Sequence, residues 1–248
     1  MRNILICGYR DWAFDLYQKV NESEIDNCIY VDDKDLLEKM IDYYQPIYVF
    51  FIGWSWIIKD DIINNYPCIC LHPSPLPKYR GGSPMQHQII AGEKKSAVTL
   101  FKMDEGIDTG DILFQKEFSL DGDLNDIYKR VSDIGADGVI EILEDGYQNR
   151  IKQNEDEATF YKRRKPSMSE IKVEDISNFT ASELHDKVRA LQDPYPNAFI
   201  QFRDGSKLYL KKSSFSKGKK DGQRTTVGGN KKSTPKKGKA GTVSKFTS

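Results

Sequence analysis

No apolar run in this chain is long enough to cross a bilayer: the longest, around 48–52 and 69–71, fall far short of the ~20 residues a spanning helix needs. The opening stretch MRNILICGYR enters a strand-like run with no extended apolar core of the kind a signal peptide carries. A cytoplasmic protein without membrane insertion is therefore expected. Cysteine is scarce, and Cys7, Cys28, Cys68 and Cys70 lack zinc-ligand spacing. Three of them sit in apolar strand-like runs, which reads as reduced, buried thiols and excludes a disulfide framework. Internal repeats are absent, so a solenoid is excluded.

Net charge is also absent, but only in sum. From residue 217 to 248 there are ten Lys or Arg against the single acid Asp221, leaving 27 basic and 36 acidic residues over 1–216. An acidic body is a poor electrostatic partner for nucleic acid. The basic 217–248 stretch has almost no apolar residue and is rich in Gly, Lys, Ser and Thr. It cannot bury enough surface to offset ordering entropy and is expected to be disordered. Two roles fit it: an inert solubilising extension, or a weak polyelectrolyte contact for nucleic acid or anionic surfaces.

What is present is a core-forming composition, 38% hydrophobic and 30% charged, over 248 residues, which suits one large domain with a small appendage. Strand and helix patterns alternate through residue 72. Strands are expected at 3–7, 28–31, 47–52 and 68–71. Trp12, Phe14, Leu16, Tyr17 and Val20 have helical spacing, Asp32-Asp33 can cap a helix reaching Tyr44, and a short helix is expected over 57–64. This alternation points to an α/β fold with a doubly wound, mostly parallel, Rossmann-like sheet. Further strands are expected at 96–103 and 112–118, with a helix at 84–90 and a long amphipathic helix over 123–143. The polar 146–167 segment reads as a connection, followed by a helix at 181–191 and a hairpin of 198–202 with 207–210 turning at Asp204-Gly205. The expected division is a catalytic domain over 1–150, a connection and small subdomain over 151–216, and the basic stretch over 217–248.

The segment CICLHPSPLPKYRGGS (68–83) ends an apolar strand in His72 and follows it with Pro73, Pro75 and Pro77. Those prolines forbid continuation as helix or central strand, so His72 stands where a strand leaves the sheet. In an open α/β sheet ligands bind there. Cys70, two residues earlier, shares a face with His72. A histidine acting as a general base needs an orienting partner, usually a carboxylate, and the loop MDEGIDTGDIL offers Asp104, Glu105, Asp108 and Asp111. Position alone does not choose among them. Cys70 with His72 also has the make-up of a nucleophile and base, although a cysteine within an apolar strand is normally buried and inert.

The ordered pair LHPSPLPKYRGGSP and MDEGIDTGDIL resembles the motifs of formyltransferases that use 10-formyltetrahydrofolate. In that family a strand ends in Asn-x-His-x-Ser-Leu-Leu-Pro, an Arg-Gly loop follows, and an Asp-Thr-Gly-Asp segment comes later. The resemblance covers roughly residues 1–150 and, more weakly, RALQDPYPNAF (189–199). It places the catalytic His on His72 and the catalytic Asp on Asp108, thirty-six residues apart. The family Asn falls on Cys70, a departure, because a thiol is a weak donor to a developing oxyanion. An active enzyme leaning on protonated His72, a slow enzyme and a binding relic all fit that departure. The implied co-substrate is 10-formyltetrahydrofolate, no metal is implied, and the pterin is expected between the 51–56 turn and the 104–110 loop, at Gly53, Trp54, Ser74, Asp104, Gly106 and Ile107. Arg80, Gly81 and Gln86 are the expected substrate-binding residues.

For the acceptor, the resemblance implies a small-molecule amine. The short region after the long helix, the acidic body and the segments WSWII, YRGGSPMQ and RALQDPYPNAF resemble family members that formylate nucleotide-linked amino sugars. Methionyl-tRNA and other amines, glycinamide ribonucleotide among them, are the alternatives. A homodimer is compatible with the sequence. A folate-binding relic or a scaffold using the basic stretch is the non-enzymatic alternative.

Overall fold

Short β-branched and aromatic runs alternate with amphipathic helices through the first third of the chain. They fold as β1 (Asn3–Cys7), α1 (Asp11–Glu22), β2 (Asn27–Val31), α2 (Leu37–Tyr44), β3 (Tyr48–Ile52), α3 (Asp60–Asn65) and β4 (Cys68–His72). The structure is a computed structural model and describes residues 1–146 and 150–218. Residues 219–248, which hold nearly all of the stretch expected to be disordered, lie outside the described residues.

Beyond β4 come β5 (Arg80–Gly81), α4 (Pro84–Ile90), β6 (Lys95–Lys102), β7 (Ile112–Ser119) and the long α5 (Leu124–Asp145). β8 (Phe160–Tyr161), α6 (Val173–Asn178), α7 (Ala181–Ala190), β9 (Ala198–Gln201) and β10 (Lys207–Leu210) complete the described elements. The six-stranded sheet has the order β2-β1-β3-β4-β6-β7. Pairings among β1, β2, β3 and β4 are parallel, while β6 runs antiparallel to both β4 and β7. The sheet is mostly parallel, with β6 as the reversed strand.

The side-chain period of two sorts each strand onto two cores. Ile4, Ile6, Phe50 and Leu71 join Leu16 of α1 and Ile127, Val131 and Val139 of α5 on one face. Leu5, Cys7, Val49 and Phe51 join Leu37 and Ile41 of α2 and Ile62 of α3 on the other. α5 lies close to the sheet because Gly135 and Gly138 carry no side chain. A Cβ at Gly135 would stand 2.6 Å from carbons of Leu16 and Leu71, and one at Gly138 the same distance from Phe114. Asp123 caps α5, its side chain accepting from the Asn125 and Asp126 amides.

Three local departures from the sequence expectation have plain causes. α2 starts at Leu37, later than the Asp32-Asp33 cap, because Asp33 accepts the Asp35 amide at 2.9 Å and spends those residues on a turn. α3 starts at Asp60, leaving Ile57 98% exposed ahead of it. The polar 146–167 connection contributes a strand, β8, whose parallel partner is β5. Met1–Phe215 form one compact unit, and within it Ile151 pairs with Ile112 while Arg189 donates to the carbonyls of Leu120 and Gly122. Among the described residues no helix is long and apolar enough to cross a membrane.

The order β2-β1-β3 places a topological switch point between β1 and β3. The crevice outside the carboxyl ends of β1, β3 and β4 is the position where open α/β sheets bind ligands.

Candidate active site

β4 delivers His72 to the edge of that crevice, and the proline loop turns the chain away immediately. His72 is 6% exposed. Its Nε2 lies 2.9 Å from the Tyr79 carbonyl and its Nδ1 3.5 Å from Asp108 Oδ2. Both ring nitrogens face oxygen atoms, one of a backbone carbonyl and one of a carboxylate. Asp108 is held from several directions. Its Oδ2 accepts the Gly81 amide at 2.7 Å, and its own carbonyl accepts Gln153 Nε2 at 2.9 Å. Gln153 Nε2 also donates to the Gly110 carbonyl at 2.8 Å. Asp108 adopts a left-handed backbone, φ 57°, a conformation that persists in a non-glycine residue when its surroundings impose it.

His72, Asp108, Cys70, Gly53, Trp54, Gly81 and Gln86 all line one cleft of about 340 Å³. The remaining expected residues do not line it. Arg80 is buried and turned away: its guanidinium donates to Gln153 Oε1 at 3.0 and 2.9 Å and to Glu155 at 2.8 and 2.7 Å. It braces the 153–155 segment behind Asp108 instead of facing a substrate. Ser74 is fully buried, with its hydroxyl donating to the Lys78 carbonyl at 2.8 Å, which makes it a turn former. Asp104 accepts from the Gly106 amide and the Thr109 hydroxyl, folding its own loop. Asp104 and Gly106 line a separate shallow cleft with Ile63, Lys102 and Met103, and Ile107 projects into solvent at 62% exposure.

Cys70 packs against Leu76, Phe101 and Ile112. Burial pushes its thiol well above the usual range, and the Asp108 charge adds to the effect. A thiol in that setting favours its protonated form, which argues against a Cys70 nucleophile.

Sequence reasoning missed the residues that complete the cleft. Arg10 and Trp12 follow β1, Tyr128 comes from α5, Arg163 and Arg164 from the segment after β8, and Tyr195 and Pro196 from the turn before β9. Trp12 stacks on Tyr128 at 5.2 Å, and the Arg10 guanidinium lies 5.4 Å from the Tyr195 ring centre. The RALQDPYPNAF resemblance pointed to the Tyr195 region without assigning it to the cleft, and the Lys162–Lys165 basic run within an acidic body reads most simply as a solvated connection. Gln153, which ties Arg80 to the Asp108 loop, had no signal at all.

The cleft sits in a chain with recognisable relatives. A family profile described as "Formyl transferase" matches residues 18–143, and one described as "Formyl transferase, C-terminal domain" matches residues 175–245. The methionyl-tRNA formyltransferase of Lachnospira eligens is 36% identical over 185 residues, 72% of this chain and 56% of that relative. The chain spans a little over half the length of the curated relatives it matches. The solved methionyl-tRNA formyltransferase from Clostridium thermocellum superposes with a TM-score of 0.79 at 34% identity, covering 88% of this chain and 96% of that one. A sugar N-formyltransferase from Shewanella shares the fold, with a TM-score of 0.66 at 23% identity over 88% of this chain and all of that one (100%). By the extent of its match to the family profile and its likeness to these relatives, this chain belongs to the formyltransferase family, methionyl-tRNA formyltransferase-like.

Proposed function

We propose that this protein transfers a formyl group from 10-formyltetrahydrofolate to a primary amine, with methionyl-tRNA as the acceptor. The observation that carries the reaction class is the His72–Asp108 pair, 3.5 Å apart at the mouth of the switch-point cleft. The cleft fits a folate: its volume lies in the range of small-molecule sites, and Trp54 offers an apolar ring whose buried Nε1 has no partner among the described residues.

When bound, 10-formyltetrahydrofolate supplies the activated formyl group. The chain's own residues then manage protons and charge. His72 accepts or donates a proton at the Nδ1 edge while the Tyr79 carbonyl fixes its ring plane. Asp108 orients that edge and is itself pinned by the Gly81 amide. Cys70 lines the same cleft with a neutral thiol, a weak donor toward the formyl oxygen, so more of the charge stabilisation falls to His72. The proline loop and the 153–155 brace keep these groups in register.

The relatives support this choice of acceptor. Methionyl-tRNA formyltransferases share 30–36% identity with the chain, while the sugar enzyme's likeness, at 23%, is one of fold. The C-terminal profile extends across the basic residues to 245, which counters the expectation that a reduced C-terminal region favours a sugar acceptor. A nucleotide-linked amino sugar remains the second reading, supported by one observation: Tyr195 and Pro196 of the RALQDPYPNAF segment line the cleft. Incubating the full chain with 10-formyltetrahydrofolate and either methionyl-tRNA or a panel of nucleotide-linked amino sugars tests both. Formylated methionyl-tRNA supports the first reading, and a formylated sugar nucleotide supports the second.

A further inference from the structure

The cleft contains more hydrogen-bond donors than the His72–Asp108 pair uses. Among the described residues, four buried side-chain nitrogens have no hydrogen-bond partner: Trp12 Nε1, Trp54 Nε1, Gln86 Nε2 and Arg164 Nε. All four residues line this one cleft. Buried donors are nearly always paired in native proteins, so four gathered in one place mark the outline of an absent acceptor-rich ligand. Gln86 is only 3% exposed.

Charge in the cleft has the same one-sidedness. Arg10, Arg163 and Arg164 line it, and among the described residues none of the three forms an ion pair. Its one lining carboxylate, Asp108, is engaged by the Gly81 amide and His72. A positive cleft thus sits in a body that carries 27 basic against 36 acidic residues over 1–216. Arg164 is also held in place. Its backbone amide donates to Ser83 Oγ at 3.1 Å and its Nη2 to the Met168 carbonyl at 2.6 Å, while its Nε has no partner among the described residues. Gly82 makes the approach possible, since a Cβ there would stand 2.5 Å from the Arg163 Cα. Burial lowers the Arg164 pKa.

We propose that Arg163, Arg164 and Gln86 form a binding site for a phosphoryl group carried by the amine acceptor. This rests on the amine-acceptor reading above. A guanidinium with an unpaired Nε–H beside a second arginine suits an anion with several acceptor oxygens, as a phosphoryl group has. The site replaces the role expected of Arg80, whose guanidinium is spent on Gln153 and Glu155. The rival anion is the glutamate carboxylate of the folate. The folate-facing residues Gly53 and Trp54 follow β3, whereas the arginine pair packs on Gly82 and Ser83 beyond the proline loop.

The test uses the full chain, wild type and the double variant Arg163→Gln/Arg164→Gln, with Arg164→Lys as a variant that keeps the stem and charge. Calorimetry with inorganic pyrophosphate is expected to show binding to wild type, weaker binding to Arg164→Lys and at least about tenfold weaker binding to the double variant. A non-reactive folate analogue is expected to bind all three alike. With an active acceptor, the double variant is expected to raise KM about tenfold with little change in kcat. Uridine diphosphate displacing pyrophosphate would support a nucleoside diphosphate source, and a short acceptor-stem RNA displacing it would support a nucleic-acid phosphate. Equal pyrophosphate binding by wild type and the folded double variant, or none to wild type, overturns the proposal. Loss of folate-analogue affinity in the double variant overturns it too, by assigning the arginines to the folate. Wild type that fails to bind the folate analogue contradicts the formyl-transfer reading, while pyrophosphate binding still decides the phosphoryl site.

Discussion

One oxygen of Asp108, Oδ2, accepts the Gly81 amide at 2.7 Å and stands 3.5 Å from His72 Nδ1, so a single carboxylate joins the loop after β6 to the loop after β4. Both residues also hold backbone, His72 against the Tyr79 carbonyl and Asp108 against the Gly81 amide. His72→Ala and Asp108→Asn are each expected to lower turnover by about 10²- to 10⁴-fold, with a loss of stability of only about 1–3 kcal/mol. A variant that retained more than about a tenth of wild-type turnover would remove that residue from the proton-handling role.

Gly81 has φ +95°, and a Cβ there would run into the Tyr161 carbonyl. Gly81→Ala is expected to destabilise the fold by about 1–3 kcal/mol, since both the backbone conformation and the β5–β8 approach exclude a side chain. Because the Gly81 amide is what pins Asp108, turnover is expected to fall as well. Denaturant melts beside initial rates separate the two effects.

Gln153 links Arg80 to the carbonyls of Asp108 and Gly110. Gln153→Ala leaves the buried Arg80 short of one acceptor and the 108–110 loop short of its donor. Turnover is expected to drop at unchanged folate-analogue affinity, and Gln153→Glu is expected not to restore it, because a carboxylate cannot donate to the two carbonyls.

Cys70 tests the departure from the family motif. Its raised pKa keeps the thiol protonated at neutral pH, so iodoacetamide at pH 7.5 is expected to leave it unmodified in the folded protein. Cys70→Asn is expected to preserve or raise turnover by supplying an amide donor, offset by about 1–3 kcal/mol of overpacking against Leu76, Phe101 and Ile112. Strain lowers melting temperature and turnover together. Normal folding with no activity in both Cys70→Asn and Cys70→Ser would instead assign chemistry to the thiol.

His87 gives a pH dependence with a defined sign. Its pKa is lowered, chiefly by burial, with Arg164 adding to the effect and the Lys162 backbone carbonyl opposing it. A histidine lowered in the folded state binds its proton more readily once unfolded. Its contribution to stability is complete above the unfolded pKa of about 6.5 and is lost as pH falls through the folded value. The drop in melting temperature from pH 7.5 to 5.5 is therefore expected to be smaller in His87→Gln than in wild type.

The sheet was legible because its signals are local. Runs such as Tyr48–Ile52 are apolar on both faces, which marks a doubly covered strand, and Asp123 with Asp126 marks the start of α5. His72 was legible because three prolines fix where its strand ends, and Asp108 only through the resemblance, since four acids share its loop. Partners separated by long stretches of chain were not legible. Nothing local in Gln153 or Glu155 says that they hold Arg80, so an arginine next to a glycine pair read as a substrate contact. Arg164 was hidden for the converse reason: a basic run reads as solvated until Ser83 and Met168 are seen to draw it into the cleft. Asp104, Gly106 and Ile107 shared the Asp108 loop in sequence, but the turn that Asp104 makes with Thr109 sends them elsewhere.

Mass spectrometry of the amine product tests the account most directly. The full chain is incubated with 10-formyltetrahydrofolate and methionyl-tRNA, beside His72→Ala as control and a nucleotide-linked amino sugar as competitor acceptor. The methionyl amine is expected to gain one formyl group with wild type and not with His72→Ala. No formyl gain on any amine, from a folded protein that also fails to bind a folate analogue at millimolar concentration, would contradict it.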